Sequence, residues 1–100
     1  MANKDVYEGF FFNDKRQGYG VYKSAMGCSY KGNWYDDNCE GKGEFIYPNI
    51  YVYEGMFKRG KKDGYGLLIY ANGVQYRGEF LNDEVLGNGV WTNKEGNEIR

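Results

Sequence analysis

The sequence contains no histidine, one proline and two cysteines. The lack of histidine removes the commonest general base and a frequent metal ligand. The two cysteines, Cys28 and Cys39, are too few for a disulfide framework, which favours a reduced, cytoplasmic setting. No other group of residues suggests catalysis. We therefore expect a protein that is not an enzyme and that needs neither a cofactor nor a metal.

The sequence also lacks a strong charge imbalance and a long apolar segment. Its formal net charge is −1, which does not give the basic surface that a nucleic-acid-binding protein needs. No apolar run approaches the ~18 residues that span a bilayer as a helix. Nucleic acid is therefore not an expected partner, and a membrane-spanning helix is not expected.

Glycine and aromatic residues are abundant, with sixteen glycines and 19% aromatics in 100 residues, whereas glycine usually makes up ~7% of a protein. These residues recur every 23 positions in four copies that align without a gap, and a fixed period of this kind indicates a repeat architecture. The shared positions are an opening tyrosine (Tyr7, Tyr30, Tyr53, Tyr76), a glycine (Gly9, Gly32, Gly55, Gly78), a large ring (Phe11, Trp34, Phe57, Phe80), a glycine pair (Gly18 and Gly20, Gly41 and Gly43, Gly64 and Gly66, Gly87 and Gly89) and a closing apolar residue (Tyr22, Phe45, Leu68, Trp91).

Each copy alternates large and small residues with a period of two, which indicates β-strands. A polar segment divides each copy into two strands, at 13–16, 36–39, 59–62 and 82–85. The Asn, Asp and Gly residues of these segments favour tight turns. Second turns join successive copies at 25–27, 48–49, 71–73 and 94–96. The sequence therefore predicts four β-hairpins in a row.

The pairing within each hairpin follows if its tip is formed by the two central residues of the polar segment. In the third copy this counting predicts three facing pairs: Phe57 with Gly64, Gly55 with Gly66, and Tyr53 with Leu68. We expect each glycine to leave room for the aromatic ring opposite. This packing would compensate for the weakening effect of glycine within a strand.

The predicted fold class is all-β, an elongated single antiparallel sheet of stacked hairpins with an aromatic groove. Eight strands at about 4.8 Å spacing would extend over roughly 40 Å. Residues 1–6 are expected to be a polar tail, and residues 7–98 to form the repeats 7–29, 30–52, 53–75 and 76–98. Residues 99–100 would be the C-terminal end or the start of a further repeat.

The combination of Tyr-x-Gly-x-(Phe/Trp) with a following Gly-x-Gly resembles the MORN (membrane occupation and recognition nexus) repeat, and it covers residues 7 to about 98. The resemblance implies a curved rod of hairpins that serves as a non-catalytic interaction or scaffold module. It also implies a cytoplasmic protein, alone or in association with the cytoskeleton or a membrane.

The aromatic positions have two interpretations. The rings beside glycines can fill the sheet as its core, or part of the set can remain accessible and anchor an apolar protein or peptide partner, or a second copy of the chain in a homodimer. The rim of such a groove would be formed by Trp34, Phe45, Tyr47, Tyr70 and Trp91. The complete set of candidate groove residues is Tyr7, Phe11, Tyr22, Tyr30, Trp34, Phe45, Tyr47, Tyr53, Phe57, Tyr70, Tyr76, Phe80 and Trp91.

One basic cluster offers an alternative function. Lys58, Arg59, Lys61 and Lys62 surround the third hairpin tip, where charges are usually simply solvated. Each such charge near an anionic membrane contributes about 1 kcal/mol to binding. The alternative is therefore a membrane- or phosphoinositide-recognition module, or an accessory module of a larger lipid-kinase-type or cytoskeletal protein.

Overall fold

The computed structural model describes residues 5–87 and 89–99, and these form an all-β, single antiparallel sheet, as predicted. Neighbouring strands follow chain order from β1 to β8, and β9 pairs with β7. The Cα trace measures 47 × 27 × 18 Å. The strands are β1 (Val6–Phe12), β2 (Lys15–Lys23), β3 (Ser29–Tyr35), β4 (Asn38–Tyr47), β5 (Tyr51–Lys58), β6 (Lys61–Tyr70), β7 (Gln75–Leu81), β8 (Glu84–Val85) and β9 (Val90–Thr92).

Each hairpin ends in a two-residue turn in which both residues have positive φ. In the second hairpin Asp36 has φ 51° and Asp37 has φ 68°, which is the type I′ turn that matches the twist of two antiparallel strands. The other turns are Asn13-Asp14, Arg59-Gly60 and Asn82-Asp83. Each turn therefore lies one residue closer to the N-terminus than the sequence counting placed it.

A row of glycines runs across the sheet from strand to strand. Gly55 faces Gly66 within the third hairpin, as predicted, and Tyr53 faces Leu68, also as predicted. The row continues between hairpins, where Gly66 faces Gly78. Corresponding glycine pairs occur in β1–β2, β2–β3, β3–β4 and β4–β5. The glycine row thus sets the register of the sheet.

The predicted pairing of Phe57 with Gly64 is wrong, because Phe57 faces Lys62. Between this pair and the glycine row, the single residue Met56 lies opposite three residues, 63–65. Because of this bulge, the glycines of the row pair as predicted although the turn lies one residue earlier than predicted. Gly64 lies within the bulge with φ +102°, so its role is to permit an unusual backbone conformation.

The glycine row makes room for the tyrosines, and not for the Phe57 ring as the sequence suggested. A Cβ built on Gly66 would overlap the ring of Tyr53. The Tyr53 hydroxyl then donates a hydrogen bond of 2.9 Å to the carbonyl oxygen of Met56, the residue opposite the bulge. The tyrosines of the other three repeats make the corresponding hydrogen bonds, to Phe10, Asn33 and Glu79.

The large rings connect the repeats into one edge-to-face ladder, which is a favourable arrangement for aromatic pairs. Trp34, for example, contacts Tyr30 of its own repeat at 5.1 Å and Tyr7 of the preceding repeat at 5.4 Å between ring centroids. Phe57 and Phe80 each bridge two tyrosines in the same way. The core of this one-layer structure consists of Tyr30, Trp34, Tyr53, Phe57, Leu68, Tyr76 and Phe80.

Hydrogen bonds join both ends of the described chain to the repeats. Strand β1 already includes Val6, and Asp5 accepts hydrogen bonds from the Tyr22 hydroxyl and the Ala25 N–H. The rest of the predicted tail, residues 1–4, lies outside the described residues, as does residue 100. At the other end, the Ile99 N–H donates to the Trp91 carbonyl oxygen at 2.8 Å.

The overlap at the glycine row predicts that Gly66→Ala lowers the melting temperature by roughly 12–24 °C, because the overlap with the Tyr53 ring places the overpacking cost near its usual upper value of about 3 kcal/mol. Gly87→Ala is the matched control, since Gly87 has φ +92° but no atom within 4 Å of the built Cβ. It should lose less, roughly 4–16 °C, because backbone strain alone costs about 1–2 kcal/mol. Equal losses in calorimetry would contradict the assigned role of Gly66.

The type I′ turns predict that Arg59→Asn stabilises the protein. Arg59 has φ 53°, and the first residue of the other three turns is Asn or Asp. Asparagine tolerates the left-handed region better than arginine, so we expect the melting temperature to rise by roughly 3–6 °C, for a gain of about 0.5–1 kcal/mol. The reciprocal change Asn13→Arg, at φ 52°, should produce a loss of similar size. A decrease for Arg59→Asn would refute this explanation.

Candidate binding cleft

A cleft of about 420 Å³ lies on the aromatic face of the sheet. We call it the aromatic cleft. It extends from β2 to β6 and reaches the turn of the fourth hairpin. Its lining residues are Arg16, Tyr22, Tyr30, Trp34, Cys39, Phe45, Tyr51, Phe57, Gly60, Lys62 and Asp83.

Five of the residues predicted to form a groove line this cleft. Tyr30, Trp34 and Phe57 belong to the core and expose 1%, 6% and 7% of their surface, so they form a nearly closed floor. Tyr22 and Phe45 are only half-buried. The accessible aromatic surface is therefore at the sides of the cleft.

The other predicted groove residues lie elsewhere. Tyr53, Tyr76 and Phe80 are buried to within 2% and act as core residues. Tyr47 and Tyr70 line a second depression, around the turn between β4 and β5. The residues at the two ends of the ladder are Tyr7 and Phe11 on β1, the first strand of the described chain, and Trp91, which stacks on Tyr70.

A cross-strand column lies opposite the large rings and contributes three residues to the lining of the cleft, Arg16, Cys39 and Lys62. Its members, each facing the large ring of its own repeat, are Arg16, Cys39, Lys62 and Val85. The sequence reasoning missed Arg16 and Cys39 as cleft residues and assigned Lys62 to the hairpin tip. The Asn and Asp residues of the polar segments were the available signal, because they favour a turn one residue earlier than the counting assumed. A turn at that position places the column residues opposite the large rings.

Arg16 is held over the aromatic surface by the next hairpin. Its guanidinium carbon lies 4.3 Å from the Trp34 ring centroid, within the range of a cation–π interaction. Its backbone N–H and Nε donate to Asp37 Oδ1 at 2.7 and 3.1 Å. These hydrogen bonds hold the pKa of the Asp37 carboxyl below its usual value, and the bond from the backbone N–H has the larger effect. The cation and its counter-charge are therefore both fixed at one end of the cleft.

Lys62 repeats this arrangement two repeats later. Its ammonium lies 5.0 Å from the Tyr51 ring centroid and 3.8 Å from Asp83 Oδ1, and its backbone N–H donates to the same oxygen at 2.8 Å. Only 14% of its side chain is exposed. Lys62 thus belongs to the aromatic cleft and is separated from the basic tip.

The remaining basic residues of the predicted lipid contact, Lys58, Arg59 and Lys61, are exposed at the third hairpin tip. Acidic groups lie beside them: Asp36 and Glu40 line the same depression as Lys58 and Arg59. The Arg59 N–H donates to Glu40 Oε1 at 3.0 Å. The local charge of this surface is therefore partly neutralised.

Cys39 occupies the column position between the two cations. Burial raises the pKa of its thiol to about 11, so the thiol is protonated at neutral pH and is a poor nucleophile. Cys28 is also a free thiol. Within residues 5–87 and 89–99 no group of three or more acidic or cysteine residues is placed to hold a metal ion.

The comparisons with known proteins agree with the repeat geometry. A search of curated proteins gave no significant match. No helix long and apolar enough to cross a bilayer occurs in the described part of the chain. The MORN repeat profile matches residues 7–29, 30–49, 53–75 and 76–98, and such repeats are non-catalytic modules that generally take part in protein or membrane interaction. With four successive matches over most of its length, the chain belongs to the MORN repeat family.

Proposed function

We propose that this protein is a protein-interaction module that binds an apolar segment of a protein partner in the aromatic cleft. The observation that carries the proposal is the cleft itself, where half-buried rings surround a floor of buried rings. Its volume of about 420 Å³ lies within the range of sites that bury a ligand on largely apolar walls.

The rings at the sides of the cleft are suited to anchor a partner. Tyr22, Phe45 and Tyr51 are each partly exposed, and aromatic side chains dominate the energetics of many interfaces. They lie on strands whose register is set by the glycine row, so little ordering of the site is needed on binding. A preformed site loses less conformational entropy when a partner binds.

The two cations contribute to selectivity more than to affinity. Arg16 is paired with Asp37 and Lys62 with Asp83, so an acidic group of a partner would have to replace an existing carboxylate. Such paired charges reject badly placed charges while adding little net energy. We therefore infer that the partner segment is mainly apolar, with any acidic residue placed near one end of the cleft.

A membrane surface is less well supported as the partner. Lys62 is held in the cleft, and Glu40 and Asp36 lie beside the basic residues that remain at the tip. Three exposed charges at about 1 kcal/mol each give weak, salt-sensitive attachment. Co-sedimentation with vesicles rich in phosphatidylserine tests this alternative, because attachment that is lost in Lys58→Glu/Lys61→Glu would favour it.

The proposal predicts the effect of removing single rings from the cleft. Peptides selected from a random display library on the wild-type protein should bind Tyr51→Ala and Phe45→Ala roughly 10–30-fold more weakly, as for interface anchors. Fluorescence anisotropy with the selected peptides measures this change. Trp34→Ala is unsuitable, since Trp34 is itself a core residue and contacts both Tyr30 and Tyr7.

The matched control removes a ring from the opposite face. Tyr65 faces Glu79 on that side and is 67% exposed, so Tyr65→Ala should change the dissociation constants by less than about threefold. Thermal unfolding of all three variants separates lost binding from lost stability. The proposal fails if no peptide is enriched, or if the peptides depend on Tyr65 and tolerate the cleft variants.

A further inference from the structure

A second cavity, of about 490 Å³, lies on the face of the sheet opposite the aromatic cleft, and we call it the β7–β9 pocket. Tyr76 on β7 belongs to the aromatic core, and its two neighbours in the strand therefore point to the other face. The size of the pocket lies within the range of small-ligand sites. It is lined by two residues of β7, two of β9 and the turn that follows: Gln75, Arg77, Val90, Thr92 and residues 93–96.

The turn after β9 forms a rigid wall of this pocket. Asn93 Oδ1 accepts hydrogen bonds from the backbone N–H groups of Glu95 and Asn97 at 3.0 and 2.9 Å. The turn also packs against the turn between β6 and β7, because a Cβ built on Gly73 would overlap the Lys94 side chain. The wall is therefore in place before a ligand binds, which lowers the entropic cost of binding.

Arg77 is a cation without a counter-charge. It faces Leu67 on β6 and Val90 on β9, and within residues 5–87 and 89–99 its side chain has no hydrogen-bond or ion-pair partner. The equivalent residue of the second repeat, Lys31, faces Glu44 instead, and opposite charges at facing positions stabilise a sheet. The fourth repeat thus lacks the facing acid that the second repeat provides.

The other charges of the pocket favour a ligand with a single negative charge. The lining contains two cations, Arg77 and Lys94, and one carboxylate, Glu95, so its formal net charge is +1. Glu79, two residues further along β7, faces Tyr65 and is not part of the lining. A phosphate group carries about 1.5–2 negative charges at neutral pH, whereas a carboxylate carries one. The carboxylate therefore matches the pocket better.

Two neutral side chains supply further hydrogen-bond donors. Gln75 faces Thr92 across β7 and β9, and neither side chain makes a hydrogen bond within the part of the chain that the structure describes. The amide and the hydroxyl can each donate to a carboxylate oxygen. Residues two positions apart on a strand are about 6.6 Å apart, so these donors lie directly beside Arg77 and Val90.

We propose that the β7–β9 pocket binds an organic monocarboxylate. The carboxylate oxygens accept hydrogen bonds from the Arg77 guanidinium, whose planar fork matches their geometry. Gln75 and Thr92 donate to the same oxygens, and the apolar part of the ligand lies against Val90. The carboxylate belongs either to a free organic acid or to an acidic side chain of a peptide. Because the pocket is on the opposite face of the sheet, it is occupied independently of the aromatic cleft.

The second repeat supplies the design of a variant that fills the pocket with a carboxylate of the chain itself. Val90→Glu places a glutamate opposite Arg77, as Glu44 is opposite Lys31, and should raise the dissociation constant at least about tenfold by competition. Val90→Gln has the same shape without the charge and should stay within about threefold of wild type. Arg77→Gln should also raise the constant at least about tenfold, whereas the matched control Lys31→Gln should change it by less than about threefold.

Titration of the isotopically labelled full chain with sodium propionate, followed by NMR at constant ionic strength, measures binding. Propionate reproduces the end of a glutamate side chain. We expect saturable shifts of the amide signals of residues 75–77 and 90–93, with a dissociation constant on the order of 1–10 mM. Inorganic phosphate and chloride should bind at least about threefold more weakly.

A blocked Gly-Glu-Gly peptide distinguishes the two sources of the carboxylate. Binding at least about threefold tighter than that of propionate assigns the pocket to an acidic peptide, and equal or weaker binding assigns it to a free acid. The peptide carries one carboxylate, so its charge is the same as that of propionate.

Absence of saturable shifts at these residues up to about 100 mM propionate overturns the proposal. Binding that is unchanged in Arg77→Gln and Val90→Glu overturns it too, because the site would then lie elsewhere. Phosphate or chloride binding as tight as that of propionate also overturns it, since the site would then hold any anion. Melting temperatures show whether each variant is folded, which is expected because Arg77 and Val90 are exposed, and Arg77→Gln decides alone if Val90→Glu is unfolded.

Discussion

The contact between a tyrosine ring and the glycine backbone of the next strand is the interaction on which this sheet depends. The Tyr53 ring fills the space that a Cβ at Gly66 would occupy, and its hydroxyl reaches the carbonyl oxygen opposite the bulge. Ring, glycine and bulge are therefore fixed relative to one another. The same contact recurs in each repeat, which lets a sheet without a second layer acquire a packed core.

Sequence reasoning predicted the parts of this arrangement that depend on periodicity. The period of 23 residues gave the hairpins, the joining turns and the pairing of Gly55 with Gly66. It predicted the wrong cross-strand partner for Phe57. The turn lies one residue earlier than predicted, and a bulge then restores the predicted register at the glycine row. Alternation of large and small residues does not reveal such a bulge. The sequence pattern therefore does not distinguish Gly64, which has a positive φ, from Gly66, which does not.

The candidate cleft was harder to predict than the fold, since residues that look alike in sequence differ in exposure. Tyr53 is fully buried, whereas Tyr51, two residues away on the same strand face, is part of a cleft wall. Lys62 belongs to a run of basic residues in the sequence, but its side chain lies on the aromatic face, where it pairs with Asp83. These outcomes depend on contacts between successive hairpins, which lie about one period apart in sequence.

Neighbouring hairpins are also joined at their tips, where backbone N–H groups of Asp37, Gly60 and Asp83 donate to carbonyl oxygens of the preceding hairpin. These bonds involve no side chain and are the same at each junction. The cross-strand column beside them holds arginine, cysteine, lysine and valine in turn. Duplication or loss of a 23-residue repeat would thus keep these backbone hydrogen bonds between neighbouring hairpins and would change the order of side chains along the column. Such a chain can acquire new recognition properties through recombination of whole units, without any redesign of its scaffold.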